Sequence, residues 1–176
     1  SVGVIIDDVD FSGAGTVATL VDVHQVEVLR GPQGTRYGAN ALAGLINFSP
    51  NEPGEAFFTS VKLTAGEFGA QTAGGVLNLP LSETFLSRFV FESHESDGYV
   101  ENDFLDSDTT NDRDELTSRA KFSWQVKENW SLNLSLASID IDNGYDAFSL
   151  DNNRHTLSDE PGFDRQNSAY VSLKSN

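Results

Sequence analysis

Val26 to Asn47 reads VEVLRGPQGTRYGANALAGLIN, and its punctuation decides how the rest of the chain is read. Val26 and Val28 alternate with their neighbours up to Arg30. The segment then breaks into Gly31-Pro32, Gly34 and Tyr37-Gly38, and ends in the small-residue run Ala39 to Gly44 and the apolar Leu45-Ile46. A short period-2 run entering a Gly/Pro cluster predicts a strand, a tight turn, a glycine-pinned irregular connection and a second short strand. A phosphate cradle is the other chemistry such a connection suggests, but GxxxxGK[ST] is absent and the spacing fails a dinucleotide fingerprint. The glycines are therefore read as fixing backbone shape, since positive φ and close approach need a residue without Cβ.

Around this segment the chain falls into two parts. Residues 1–54 are rich in Gly and Val, with few charges near the start beyond Asp7, Asp8 and Asp10. Val2 to Val9 reads as a strand ending in an acidic turn, Phe11 to Thr16 as a loop, and Val17 to Val23 as a short helix or extended connector. Pro50 to Gly54 (PNEPG) should end the ladder and act as a linker. From Phe57 onward the pattern changes to alternating segments of roughly ten residues, six in all. They are Phe57 to Ala65, Ala70 to Leu79, Phe85 to His94, Arg119 to Val126, Trp130 to Ala137 and Ala169 to Lys174. Short turns at Pro80 to Thr84 and Lys127 to Asn129 alternate with long polar stretches at Glu95 to Glu115 and Asp140 to Arg165. Trp124 and Trp130 flank one short turn, where an aromatic girdle would sit. A soluble β-sandwich has the same alternation, so periodicity by itself leaves both readings open.

Composition narrows the function classes. The 176 residues include no Cys and no Met, and the formal net charge is −16. A disulfide scaffold and a thiolate metal site are excluded. Eleven Lys and Arg in an acidic chain argue against nucleic acid, which needs clustered cations. No charged-then-apolar leader is read at the start. No run approaches the roughly 20 apolar residues of a membrane helix, which does not bear on barrel strands.

In wording and order, Val26 to Asn47 closely resembles the last part of the plug domain of TonB-dependent outer-membrane receptors. These read roughly (I/V)EVLRGPxGxLYGxxAxGGxIN ahead of a short linker into a large β-barrel. Three departures stand out: Arg36 where the family prefers Leu, Ala43 for the first Gly of a Gly pair, and Phe48-Ser49 for the usual threonine-lysine. The resemblance implies a mainly β fold, with residues 1–54 the C-terminal part of an α+β plug domain plus linker. Residues 55–176 would be the first six antiparallel strands of a transmembrane barrel. A plugged barrel needs about 22 strands, and six cannot close around a plug without leaving edges unpaired in lipid. The chain is thus expected to be a piece of a receptor, truncated at both ends.

The resemblance also implies the site residues. Arg30 matches a plug arginine that pairs with glutamates of the barrel wall, here expected beyond residue 176. Gly31, Pro32, Gly34, Tyr37, Gly38, Gly44 and Asn47 are structural residues of the plug motif. Phe11, Ser12 and Gly13 fall at a plug apex facing the external substrate pocket. Plug–wall contacts should be polar and breakable, in keeping with inward Arg88, Arg119 and Lys121. No catalytic constellation is read: there is no GxSxG elbow, and His24, His94 and His155 are scattered without HExxH spacing, so no zinc is expected. Around Asp140 to Asp146 the calcium-loop register fails at Ile141. No cofactor is expected. The implied function is energised uptake of a scarce bulky solute (ferric siderophore, haem, cobalamin or oligosaccharide) across the bacterial outer membrane. Its implied partners are that substrate, an inner-membrane TonB complex acting on an N-terminal segment absent here, and the lipid bilayer with its lipopolysaccharide. A secreted soluble β-domain binding carbohydrate is the alternative, distinguished by whether Phe89, Phe91, Phe122, Trp124, Leu132 and Leu134 meet a second sheet.

Overall fold

Asp7 and Asp8 both take positive φ, 54° and 65°, a conformation that Asp tolerates better than most residues. They form a two-residue hairpin turn between β1 (Val2–Ile6) and β2 (Val9–Asp10). The strand expected to run to Val9 therefore stops at Ile6. The computed structural model describes residues 2–12, 21–34, 41, 43–146, 149 and 153–176. Gly13, Tyr37, Gly38 and most of the expected connector at 17–23 lie outside the described residues.

The two strands expected in the 26–47 motif are β3 (Val23–Arg30) and β4 (Gly44–Pro50), paired antiparallel with Val28 opposite Ile46. β4 also pairs in parallel with β1, giving the sheet order β2-β1-β4-β3. Gly31 has φ 85°, as the turn after β3 requires of glycine. A Cβ on Gly44 would sit 2.8 Å from the Leu29 carbonyl oxygen, so close strand approach demands glycine there too. Gly34 carries no such constraint, since a Cβ would meet open space. Asn47 Nδ2 donates to Glu27 Oε2 across the ladder at 3.0 Å. Pro50 still pairs opposite Val23, so the linker begins one residue later than its two prolines suggest.

A second, six-stranded sheet follows. Its strands are β5 (Phe58–Ala65), β6 (Gln71–Pro80), β7 (Phe85–Ser96), β9 (Arg113–Lys127), β10 (Trp130–Tyr145) and β12 (Gly162–Ser175). Each pairs antiparallel with the one before it in the order β12-β10-β9-β7-β6-β5. Two short strands, β8 (Glu101–Asn102) and β11 (His155–Thr156), pair in parallel between the long connections. The last three long strands run 15, 16 and 14 residues, well past the expected ends. Asp140, Asp142 and Asn143, read as loop, pair opposite Asn167, Arg165 and Asp164. The reason is physical: alternation is enforced only where lipid or core meets one face, whereas backbone pairing continues past it.

Register assigns the two faces. Leu77, Phe89, Ala120, Leu136 and Val171 form one row across the sheet, and Ser87, Phe122, Leu134 and Leu173 form the next. On the other face, Asn78, Arg88, Lys121, Ser135 and Ser172 form one row, and Val76, Val90, Arg119, Ala137 and Tyr170 another. The first sheet packs on this second face. Val4 and Ile6 of β1 cluster with Tyr170, flanked by Phe11, Phe48 and Ala137. From the opposite side of the same strand, Ile5 packs with Ala41, Leu45 and Leu29.

Candidate functional site

Three aspartates in the first part of the chain meet three cations of the second sheet. Two of them are the turn residues Asp7 and Asp8; the third, Asp22, also takes a positive φ, 55°, just before β3. The turns thus carry carboxylates out of the ladders and toward the facing sheet. Lys121 Nζ donates to Asp7 Oδ1 at 3.1 Å and to Glu52 Oε1 at 2.6 Å. Lys174 reaches Asp8 Oδ2 at 2.6 Å and Asp7 Oδ1 at 3.4 Å. Arg88 grips Asp22 with two donors, Nε at 2.7 Å and Nη2 at 2.6 Å, the bidentate geometry for which a guanidinium is suited. Arg119 sends both terminal nitrogens to the Val21 carbonyl at 3.3 Å. Asn78 ties the linker down, donating to the carbonyls of Gly54 and Ala56 while accepting from the Gly54 amide.

The junction combines these ion pairs with the small apolar cluster of Val4, Ile6 and Tyr170. Side chains of Lys121 and Asp7 are each only 4% exposed. Burial works against the Asp7 charge, yet Ser135, Lys121 and Lys174 together hold its carboxyl below the ordinary value of 3.8. Asp7 Oδ2 and the Tyr170 hydroxyl are buried without a direct hydrogen-bond partner among the described residues. Buried charge pairs of this kind fix the register of a contact more than they stabilise it.

The sequence-expected residues take mixed places. Arg88, Arg119 and Lys121 face the junction as read. Phe11 packs edge-on against Tyr170, with centroids 5.5 Å apart, and Ser12 Oγ accepts the Val4 amide at 2.9 Å. Arg30 ends β3 exposed and makes no ion pair among the described residues. Asp7, Asp8, Asp22, Glu52 and Lys174 were not anticipated as partners. The signal that could have found them is charge complementarity, because an Asp pair in a nearly uncharged segment faces inward Lys and Arg on alternating strands.

The opposite face of the six-stranded sheet is uncovered. Val61, Leu63, Phe89, Phe91, Trp124, Val171 and Leu173 are all exposed there. No second sheet lies over them among the described residues.

No protein-family model matches the chain. Over 53 residues it is 43% identical to the pesticin receptor of Yersinia pestis, a match covering 30% of this chain and 8% of that protein. The ferric yersiniabactin uptake receptor of Yersinia pestis superposes with a TM-score of 0.86 at 21% identity, over 99% of this chain and 29% of that one. The ferripyoverdine receptor of the outer membrane of Pseudomonas aeruginosa gives 0.73 at 18%, over 98% and 25%. The alcaligin outer-membrane receptor of Bordetella pertussis gives 0.64 at 16%, over 81% and 24%. The chain therefore spans less than a third of the relatives it matches.

These likenesses define the class: a mainly β chain with the fold of an outer-membrane receptor. More particularly, the proteins it is similar to are TonB-dependent receptors of Gram-negative outer membranes, and it is their fold that the chain shares.

Proposed function

We propose that residues 1–54 are the C-terminal part of a plug with its linker, and residues 55–176 the first six strands of a barrel of about 22 strands. The whole receptor would import a ferric siderophore across the outer membrane, driven by a TonB complex acting on a segment preceding this chain. The solved relatives named for yersiniabactin, pyoverdine and alcaligin support the siderophore class over haem, cobalamin or oligosaccharide.

One observation carries the reading: the same sheet is apolar and bare on one side and charged and occupied on the other. A soluble sandwich buries its apolar face against a second sheet and leaves the polar face wet. Here the arrangement is inverted, as it is when lipid lies outside and a plug inside. Import requires the plug to move, and the ion pairs of Arg88, Lys121 and Lys174 suit a contact that holds in the resting state and yields under a pull. Phe11, Ser12 and Gly13 stay proposed as apex residues near the cargo, with Phe11 anchored on Tyr170. Arg30, exposed at the end of β3, stays proposed as a plug–barrel contact to strands beyond residue 176.

The test is uptake of radiolabelled ferric siderophores by iron-starved cells producing the intact receptor. Uptake of one siderophore class, abolished by dissipating the proton-motive force, is the expected result. Uptake that ignores the proton-motive force, or a protein found soluble outside the membrane, would overturn the proposal.

A further inference from the structure

Away from the junction, two carboxylates and one imidazole converge between the long connections. Glu101 in β8 and His155 in β11 are register partners in their parallel pairing, and Asp103 follows β8 directly. His155 Nδ1 lies 3.1 Å from Asp103 Oδ1 and 3.8 Å from Glu101 Oε2. Ligand atoms of all three fall within 4.8 Å of one another. In sequence, Asp103 and His155 are 52 residues apart, so no spacing motif could have paired them.

The backbone beneath them is firmly held. Asn102, 1% exposed, donates to Asp146 Oδ2 at 3.0 Å and to the Ser158 carbonyl at 2.8 Å, and accepts from the amides of Phe104 and Leu105. Thr110 donates to the same Asp146 oxygen at 2.7 Å. The amides of Glu101 and Asp103 donate to the carbonyls of Arg154 and Thr156. Among the described residues no Lys or Arg pairs with Glu101 or Asp103, and the neighbouring Arg154 is stacked over Phe68.

We propose that Glu101, Asp103 and His155 bind a divalent transition-metal ion of the zinc type, clipping the 97–112 connection to the 146–161 connection. Tetrahedral ligation with nitrogen and oxygen at about 2.0–2.2 Å puts ligand atoms roughly 3.3–3.6 Å apart, and the two measured separations bracket that range. The ion neutralises two like charges held close together, and a fourth position stays open to water or to a donor from a bound molecule. The imidazole sets the selectivity, because calcium and magnesium take all-oxygen shells. The site stands independently of the transport reading: zinc binding without uptake, or uptake without zinc binding, separates the two.

The experiment is equilibrium dialysis of the intact, metal-stripped receptor in detergent against zinc alone, buffered by a chromophoric chelator. Wild type should hold one equivalent more than His155→Ala, and Asp103→Asn should bind at least tenfold more weakly. His24→Ala should match wild type. Cobalt(II) in place of zinc should give visible absorption of a tetrahedral nitrogen–oxygen site in wild type and not in His155→Ala, whose exposed side chain leaves the fold intact. Equal zinc stoichiometry and affinity in wild type, His155→Ala and Asp103→Asn would overturn the site. Displacement of the zinc by millimolar calcium would overturn its assignment to a transition metal.

Discussion

Replacing Lys121 by Met keeps most of the side-chain volume and removes a cation that touches both Asp7 and Glu52. Among the described residues Asp7 then stays buried with only Lys174, at 3.4 Å and 37% exposed, as a charged partner. Removing one member of a buried pair costs about 3–5 kcal/mol. Lys174 still offers partial compensation, so we place the loss at about 2–3 kcal/mol. That is a 30- to 150-fold change in the opening equilibrium, at about 1.4 kcal/mol per tenfold. Hydrogen exchange on the intact receptor in detergent reads it directly, since local opening sets the rate at each amide. Amides of β1 and β4 should exchange 30- to 150-fold faster, while the centres of β9 and β10 keep their protection. Adding Asp7→Asn to Lys121→Met should restore part of the loss, because the stranded charge is gone. A change below threefold in β1, or equal loss of protection in both sheets, would refute a separable, charge-held junction.

Other expectations follow from the same geometry. The Asp7 carboxyl titrates lower when folded than its ordinary 3.8, so its contribution is fully present above that value and is lost as pH falls through the lower folded value. Protection of β1 should thus be flat from pH 5 to 8 and fall in acid below pH 3.8, and Asp7→Asn should blunt that fall. Phe89→Arg, in the middle of the bare apolar face, should cost about 2–4 kcal/mol if lipid covers it. The readout is a matching drop in the heat-modifiable folded band on gels, whereas a water-facing Phe89 would tolerate the change. Gly44→Ala drives a Cβ to 2.8 Å from the Leu29 carbonyl oxygen and should loosen the β3–β4 ladder, read as faster exchange at Val28 and Ile46. Phe11→Ala should destabilise the first sheet by about 1–2 kcal/mol through the lost ring contact with Tyr170, measured by denaturant unfolding of that sheet.

The broad fold was legible because two local signals are strong. Val26 to Asn47 combines strand and glycine punctuation, and β5 to β10 alternate clearly where one face is apolar. Strand ends were not legible, since polar and acidic residues interrupt the apolar alternation at Asp140 to Tyr145 and Gly162 to Arg165, and partners such as Asp142 and Arg165 meet only once the strands have paired. The short strands β8 and β11 were hidden for a similar reason: Glu101 and His155 meet only because the connections fold onto each other. At the junction the cations were readable from alternation and their aspartate partners were not. Asp22 and Arg88 are 66 positions apart, and Asp7 and Lys121 are 114 apart, so only the tertiary arrangement joins them.

The central claim is that one face of the six-stranded sheet meets lipid and the other meets the first sheet. It is tested most directly by nitroxide labels placed singly at 170, 171, 172 and 173 of β12 in the intact receptor reconstituted in bilayers. The account predicts high oxygen and low aqueous-relaxant accessibility at 171 and 173, with low accessibility to both at 170 and 172. Strong relaxation by the aqueous reagent at 171 and 173 would contradict it.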